Sequence, residues 1–252
     1  MAIRRSRLAA ACLIACCPLH AQEAAPRPPA SGWRLGGIAL VHNGGYLGDA
    51  RRTLVVPAVG YESEQVFFRG LRLGWHAYRQ QGLQLDLVAQ ARLDGFDAAD
   101  VPIPGLQDRR ASIDAGAVLT LSGDAGKLEF TALTDVLDRS AGQELALDYG
   151  YPFRAGRARV TPTVGVRWWS AAMADYYYGI RPFEVARGAP ASYHVSSALV
   201  PEVGIDLLLP LDRRWAMFGL LRHQRLPGTI ANSPLVSGSS ASTLLVGVTY
   251  AF

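Results

Sequence analysis

The sequence predicts an all-β protein: an antiparallel transmembrane β-barrel of about twelve strands, with ten as the alternative. Three observations predict it. Apolar and polar residues alternate along nearly the whole chain after Trp33, and no 3.6-residue stripe appears. No apolar run reaches the roughly 18 residues of a spanning helix, so a membrane would have to be crossed by strands. From Gln80 onward the connections alternate between short and longer ones, as tight turns on one rim and larger loops on the other would require. A soluble, exported β-protein is the competing reading, because alternation alone does not say which face is buried.

Residues 1–21 read as a secretory signal. Arg4, Arg5 and Arg7 precede the apolar stretch Leu8 to Cys17, and Ala21 is a plausible cleavage position. All three cysteines (Cys12, Cys16, Cys17) lie inside it, so the exported chain has no thiol and no disulfide. Removing the three signal arginines takes the formal net charge from +4 to +1. A near-neutral chain argues against a nucleic-acid surface. Residues 22–32, rich in Pro and Ala, read as a flexible periplasmic lead-in, and 33–252 as one barrel.

The elements follow in order. Trp33, Leu35, Gly37, Ala39 and Val41 form one face of a first strand, and Thr53 to Tyr61 reads as a second. Val66 to Arg69 and Leu71 to Tyr78 make a third and fourth, broken tightly at Gly70; ten strands result if this region is one bent strand. Leu83 to Arg92, Ala111 to Leu121 and Lys127 to Ala132 are the fifth to seventh. Glu144 to Phe153 is the eighth, Val160 to Trp168 the ninth, His194 to Leu209 the tenth and Arg214 to Arg222 the eleventh. The twelfth, Ser242 to Phe252, sets Leu244, Val246, Val248, Tyr250 and Phe252 against milder residues. Its length suits a tilted transmembrane strand. Ending on Phe252, with Tyr250 two residues before, it resembles the terminal assembly signal of bacterial outer-membrane barrels. That signal implies the barrel assembly machinery and outer-membrane lipid as partners.

The face opposite the apolar one carries Asp86, Arg92, Asp114, Glu129, Asp148, Arg167, His194, Glu202 and Asp206. So many ionisable groups would burden a dry core but suit a polar lumen, paired across strands. Trp33, Phe153, Trp168, Trp169, Trp215, Tyr250 and Phe252 gather at strand ends, where interfacial belts or cross-strand packing would put them.

Three segments stand out beyond this patterning. They are Asp175-Tyr176-Tyr177-Tyr178-Gly179-Ile180 followed by Glu184, Pro190 and Tyr193; Asn232-Ser233-Pro234-Leu235-Val236; and Tyr250-Ala251-Phe252. In this order and spacing, with Trp168-Trp169-Ser170 before the Tyr run and Gly45-Tyr46-Leu47-Gly48 followed by Pro57 near the start, the sequence resembles the MipA/OmpV family. The family usually has a Pro before the early Tyr; His42 to Gly45 supplies none. The resemblance implies an outer-membrane barrel that scaffolds murein-remodelling enzymes, a lytic transglycosylase and a penicillin-binding synthase. Other members are linked to adhesion, envelope stress and osmotic response. It carries over no catalytic residues. Asp175, Tyr176, Tyr177, Tyr178, Gly179, Glu184, Ser233 and Pro234 are the family-motif residues of a possible mouth loop. That loop either folds over the lumen or serves as an interfacial anchor.

The residues themselves point to no catalytic, metal or cofactor site. There is no Gly-x-Ser-x-Gly elbow and no His-Glu-x-x-His pattern. The exported histidines (His42, His76, His194, His223) are scattered without ligand spacing. The expectation is therefore a non-enzymatic barrel: a scaffold, or alternatively a small channel or adhesin working through its long loops.

Overall fold

A computed structural model of the chain describes residues 31–48 and 51–252. The signal and almost all of the lead-in lie outside the described residues. Thirteen strand segments are arranged in one sheet. They are β1 Gly32–Asn43, β2 Arg51–Glu62, β3 Val66–Arg69, β4 Arg72–Gln80, β5 Leu83–Arg92, β6 Ser112–Gly123 and β7 Gly126–Asp135. Then come β8 Gln143–Gly150, β9 Phe153–Ala155, β10 Ala158–Trp169, β11 Ala198–Pro210, β12 Trp215–Arg225 and β13 Ser240–Ala251.

Every pairing is antiparallel, and β13 returns to β1 with Ala251 opposite Arg34 and Ser242 opposite Asn43. β8 and β9 both lie along β10. They are one strand interrupted at Pro152, which has no N–H for the ladder. With β10 also paired to β11, the thirteen segments close into a twelve-stranded antiparallel barrel. Closure leaves few edges, the condition for a sheet to sit in lipid.

The side-chain period of two then fixes what faces where. Leu35, Leu73, Leu87, Phe130, Leu147, Val164, Val203, Ile205, Leu221, Val246 and Val248 point outward, exposed around the wall. Such a continuous apolar belt would be untenable in water. Asp86, Arg92, Asp114, Glu144 and Glu202 point inward and are buried.

Trp33, Phe153, Trp215 and Phe252 are exposed at the tight-turn rim. Trp169 departs from the belt reading: it is 6% exposed and donates from Nε1 to Glu144 Oε2 at 3.0 Å. The tenth expected strand also begins later than the alternation suggested, at Ala198. Residues 193–195 are held elsewhere: Tyr193 bridges Ile180, and Val195 N donates to Asp175 Oδ1 at 2.8 Å. His194 is consequently a loop residue whose side chain is 72% exposed, not a lumen group.

Candidate functional site

The long loops, described over 44–48, 93–111, 170–197 and 226–239, fold together on one rim. Three short α-helices sit in them, α1 Ala171–Tyr178, α2 Pro182–Val185 and α3 Gly228–Ala231, with a 3-10 turn at Ala98–Asp100. Ser170 caps α1, its Oγ accepting from Met173 N at 3.3 Å, and Gly179 ends it. Pro182 opens α2 at a position where a missing N–H costs nothing. Ser170, the Ala-rich turn after it and Gly179 are helix start and stop signals visible in the sequence. They are masked by the lack of an apolar stripe over only eight residues.

The loops share one buried core: Tyr46, Phe96, Met173, Tyr178, Ile230 and Leu235 are each 5% exposed or less. Tyr178 stacks on Tyr46 with centroids 5.1 Å apart, and Phe96 meets Tyr46 edge-on at 4.9 Å. This core roofs the lumen.

The motif residues hold the roof together. Glu184 and Arg109 are fully buried and paired twice, Nη1 to Oε1 at 2.8 Å and Nη2 to Oε2 at 3.0 Å. Arg109 Nη2 also donates to Gly179 O at 3.0 Å. The same carboxylate accepts from Gln107 N (2.9 Å) and Arg181 N (2.8 Å). Burial alone would raise the Glu184 carboxyl; the hydrogen bonds from Arg109, Arg181 and Gln107 outweigh it and hold the group below the ordinary carboxylate value. Ser233 Oγ donates to Tyr178 O at 2.6 Å and accepts from Leu235 N at 3.2 Å, while Pro234 lies in the turn between. Tyr176 Oη accepts from Arg110 N at 3.1 Å. Tyr177 is 2% exposed, and burial pushes its phenol and that of Tyr178 far up, so both stay neutral.

Below the roof, an ionic ladder spans the lumen from β5 to β12. Arg92 reaches Asp114 (2.6 Å) and Glu144 (2.8 Å). Arg167 reaches Glu144 (2.9 Å) and Glu202 (3.0 Å). Arg222 continues to Glu202 (3.3 Å) and Asp206 (2.9 Å). Glu144 and Arg222 join the inward groups that sequence reasoning had not paired. A separate buried cluster was also missed: His76 Nδ1 lies 2.7 Å from Asp86 Oδ1, and Nε2 3.3 Å from Glu62 Oε1. His76 shares the inward face with Arg72 and Gly74 by plain alternation, and the bulge after it returns Tyr78 to the outer face. At the opposite rim Tyr250 meets Trp215 and Phe252 edge-on, each at 5.1 Å, and Arg214 Nη1 reaches Tyr250 Oη at 2.5 Å. Phe252 N donates to Trp33 O at 3.2 Å, extending the closing seam.

A closed barrel with an apolar outer belt and a charged lumen defines the class: an outer-membrane β-barrel. The family model described as "MltA-interacting protein MipA" matches residues 35–252. The chain belongs to that family. YiaT of Escherichia coli (strain K12) is 28% identical over 226 residues, covering 88% of this chain and 92% of its own. The MltA-interacting protein of the same strain is 28% identical over 200 residues, covering 78% of this chain and 81% of its own. Among solved structures, OmpT of Vibrio cholerae aligns over 90% of this chain and 100% of its own, with 7% identity and a TM-score of 0.35.

Proposed function

We propose that this chain is a non-catalytic interaction barrel whose tight-turn, periplasmic rim receives a murein lytic transglycosylase. A penicillin-binding synthase would be recruited through that enzyme. The reading is carried by the roof: four loops packed into one buried core over the outer mouth leave little path for free solute. The ionic ladder beneath it narrows the lumen further. The name of the relative, MltA-interacting protein, supports the partner class.

The rim available to such a partner is short but basic. Arg154, Arg157, Arg213 and Arg214 are all exposed in its turns. Cations there suit an acidic protein surface, and they speed encounter more than they deepen affinity. The test is retention of a purified lytic transglycosylase by the folded barrel in detergent. The native chain should retain it at physiological salt. Replacing the four arginines by serine should reduce retention at least tenfold. Equal retention by both would place contact elsewhere, and none by the native chain would remove the partner reading.

A small channel or an adhesin is the second reading. The cavity left beneath the roof favours a channel, and conductance decides it.

A further inference from the structure

Among the described residues the barrel wall is incomplete at one place. All of β2 pairs with β1, from Arg51 opposite Asn43 to Glu62 opposite Gly32. Only Gly60, Tyr61 and Glu62 pair with β3. The β3–β4 hairpin turns back early, at Gly70 and Leu71, where Gly70 N donates to Val59 O at 3.2 Å. Above that bond residues 51–58 have no strand partner on this edge, among the described residues. At about 3.3 Å per residue this is ~26 Å of strand edge. Pro57, which has no N–H to leave unpaired, lies within it. On the far side Arg72 faces Gln90, and Ala91 N donates to Leu71 O at 3.0 Å. Overhead the first two long loops meet, Tyr46 on Phe96 and Gly48 against Asp100. The gap is thus a window with a roof and a sill, in the outer half of the wall. An open strand edge is costly against hydrocarbon, and behind this one lies a cavity with charged lining.

That interior is mixed in character. A cavity of about 680 Å³ is lined by Leu40, Leu71 and Leu220 together with Arg72, Glu129 and Arg167. Leu54 and Val56, paired with Leu40 and Ile38, add apolar side chains along the window. Arg92, Arg167 and Arg222 each hold carboxylates within 4.0 Å. Arg72 holds none among the described residues; its Nε donates to Gln90 Oε1 at 2.9 Å.

We propose that this window admits a long-chain monocarboxylate from the outer leaflet. Its alkyl chain lies against Leu40, Leu54 and Val56, and its carboxylate is held by Arg72. The volume is in the range of small-ligand sites, ~300–1,000 Å³. Glu129 and Asp148 line the same cavity, which favours a headgroup of single charge over a more highly charged one. The inference goes beyond the periplasmic partner role and does not rest on it.

The test uses octadecanoate carrying a mid-chain diazirine, photolysed with the full chain in outer-membrane vesicles. Adducts are expected on the stretches 38–40 and 54–56. Arg72→Gln should lower their yield at least fivefold, and the matching octadecanol probe should label the native window at less than a fifth of the acid's yield. Val56→Trp, checked for barrel closure by heat-modifiability, should lower it similarly. Adducts spread evenly around the outer belt, or a yield indifferent to Arg72→Gln, would overturn the proposal. So would efficient disulfide dimerisation of Val55→Cys, because a second copy would then cover the edge.

Discussion

Arg109 and Glu184 are both wholly buried, and each is the other's only counter-charge at hydrogen-bond distance among the described residues. Removing one side of such a pair leaves an uncompensated buried charge, at a cost of ~3–5 kcal/mol. Glu184→Gln is therefore expected to loosen the roof without unfolding the barrel. Limited trypsin digestion should then cut after Arg109 in the variant and spare that bond in the native chain. The pH dependence has a definite sign. The folded Glu184 carboxyl titrates below its ordinary value of about 4.3, so its contribution is complete above that pH and is lost as pH falls through the lower folded value. The protection of amides 93–111, relative to their unfolded exchange rates, should be high at pH 7 and fall only below the ordinary carboxylate range. At this scale the sequence was half legible. Glu184 and Ser233 stood out by family resemblance, but Arg109 is 75 residues away and carries no local mark of its role.

The strands were the readable elements, because alternation reports the two faces of a wall directly. Leu83 to Arg92 matches β5 residue for residue. Where a second contact competes, the reading slips. β11 starts at Ala198 because Asp175 and Ile180 claim the residues before it, and the three helices are too short to register a helical period. The ionic ladder is an element-scale device, since Glu144 on β8 holds Arg92 on β5 and Arg167 on β10 together. Glu144→Gln should cost ~3–5 kcal/mol and shift the temperature of heat-modifiability downward on gels, with the barrel still forming at low temperature. The last strand is tested differently. Deleting Phe252 removes its ring contact with Tyr250 and the bond to Trp33 O. The heat-modifiable fraction in outer membranes should fall severalfold; an unchanged fraction would mean that β13 needs no terminal aromatic for assembly.

Over the whole molecule, one asymmetry underlies the proposed function. The rim with tight turns is low and basic, while the other rim is built up into a roof whose loops converge from four separate stretches of sequence. The sequence announced that these loops were long. It could not announce that they share a core, because Tyr46, Phe96, Tyr178 and Leu235 come together only after the barrel closes. The low β3–β4 turn was visible as a break at Gly70, but the window beside it depends on register, which periodicity does not reveal.

The central claim, a barrel closed at its outer mouth, is tested most directly by single-channel recording of the heat-modifiable native protein in planar bilayers. The account predicts no sustained openings for the native chain. It also predicts steady, ohmic openings once residues 171–192 are replaced by a short Gly-Ser link. Stable, voltage-independent conductance from the native barrel would contradict it, and the roof would then have to be a mobile lid over a working pore.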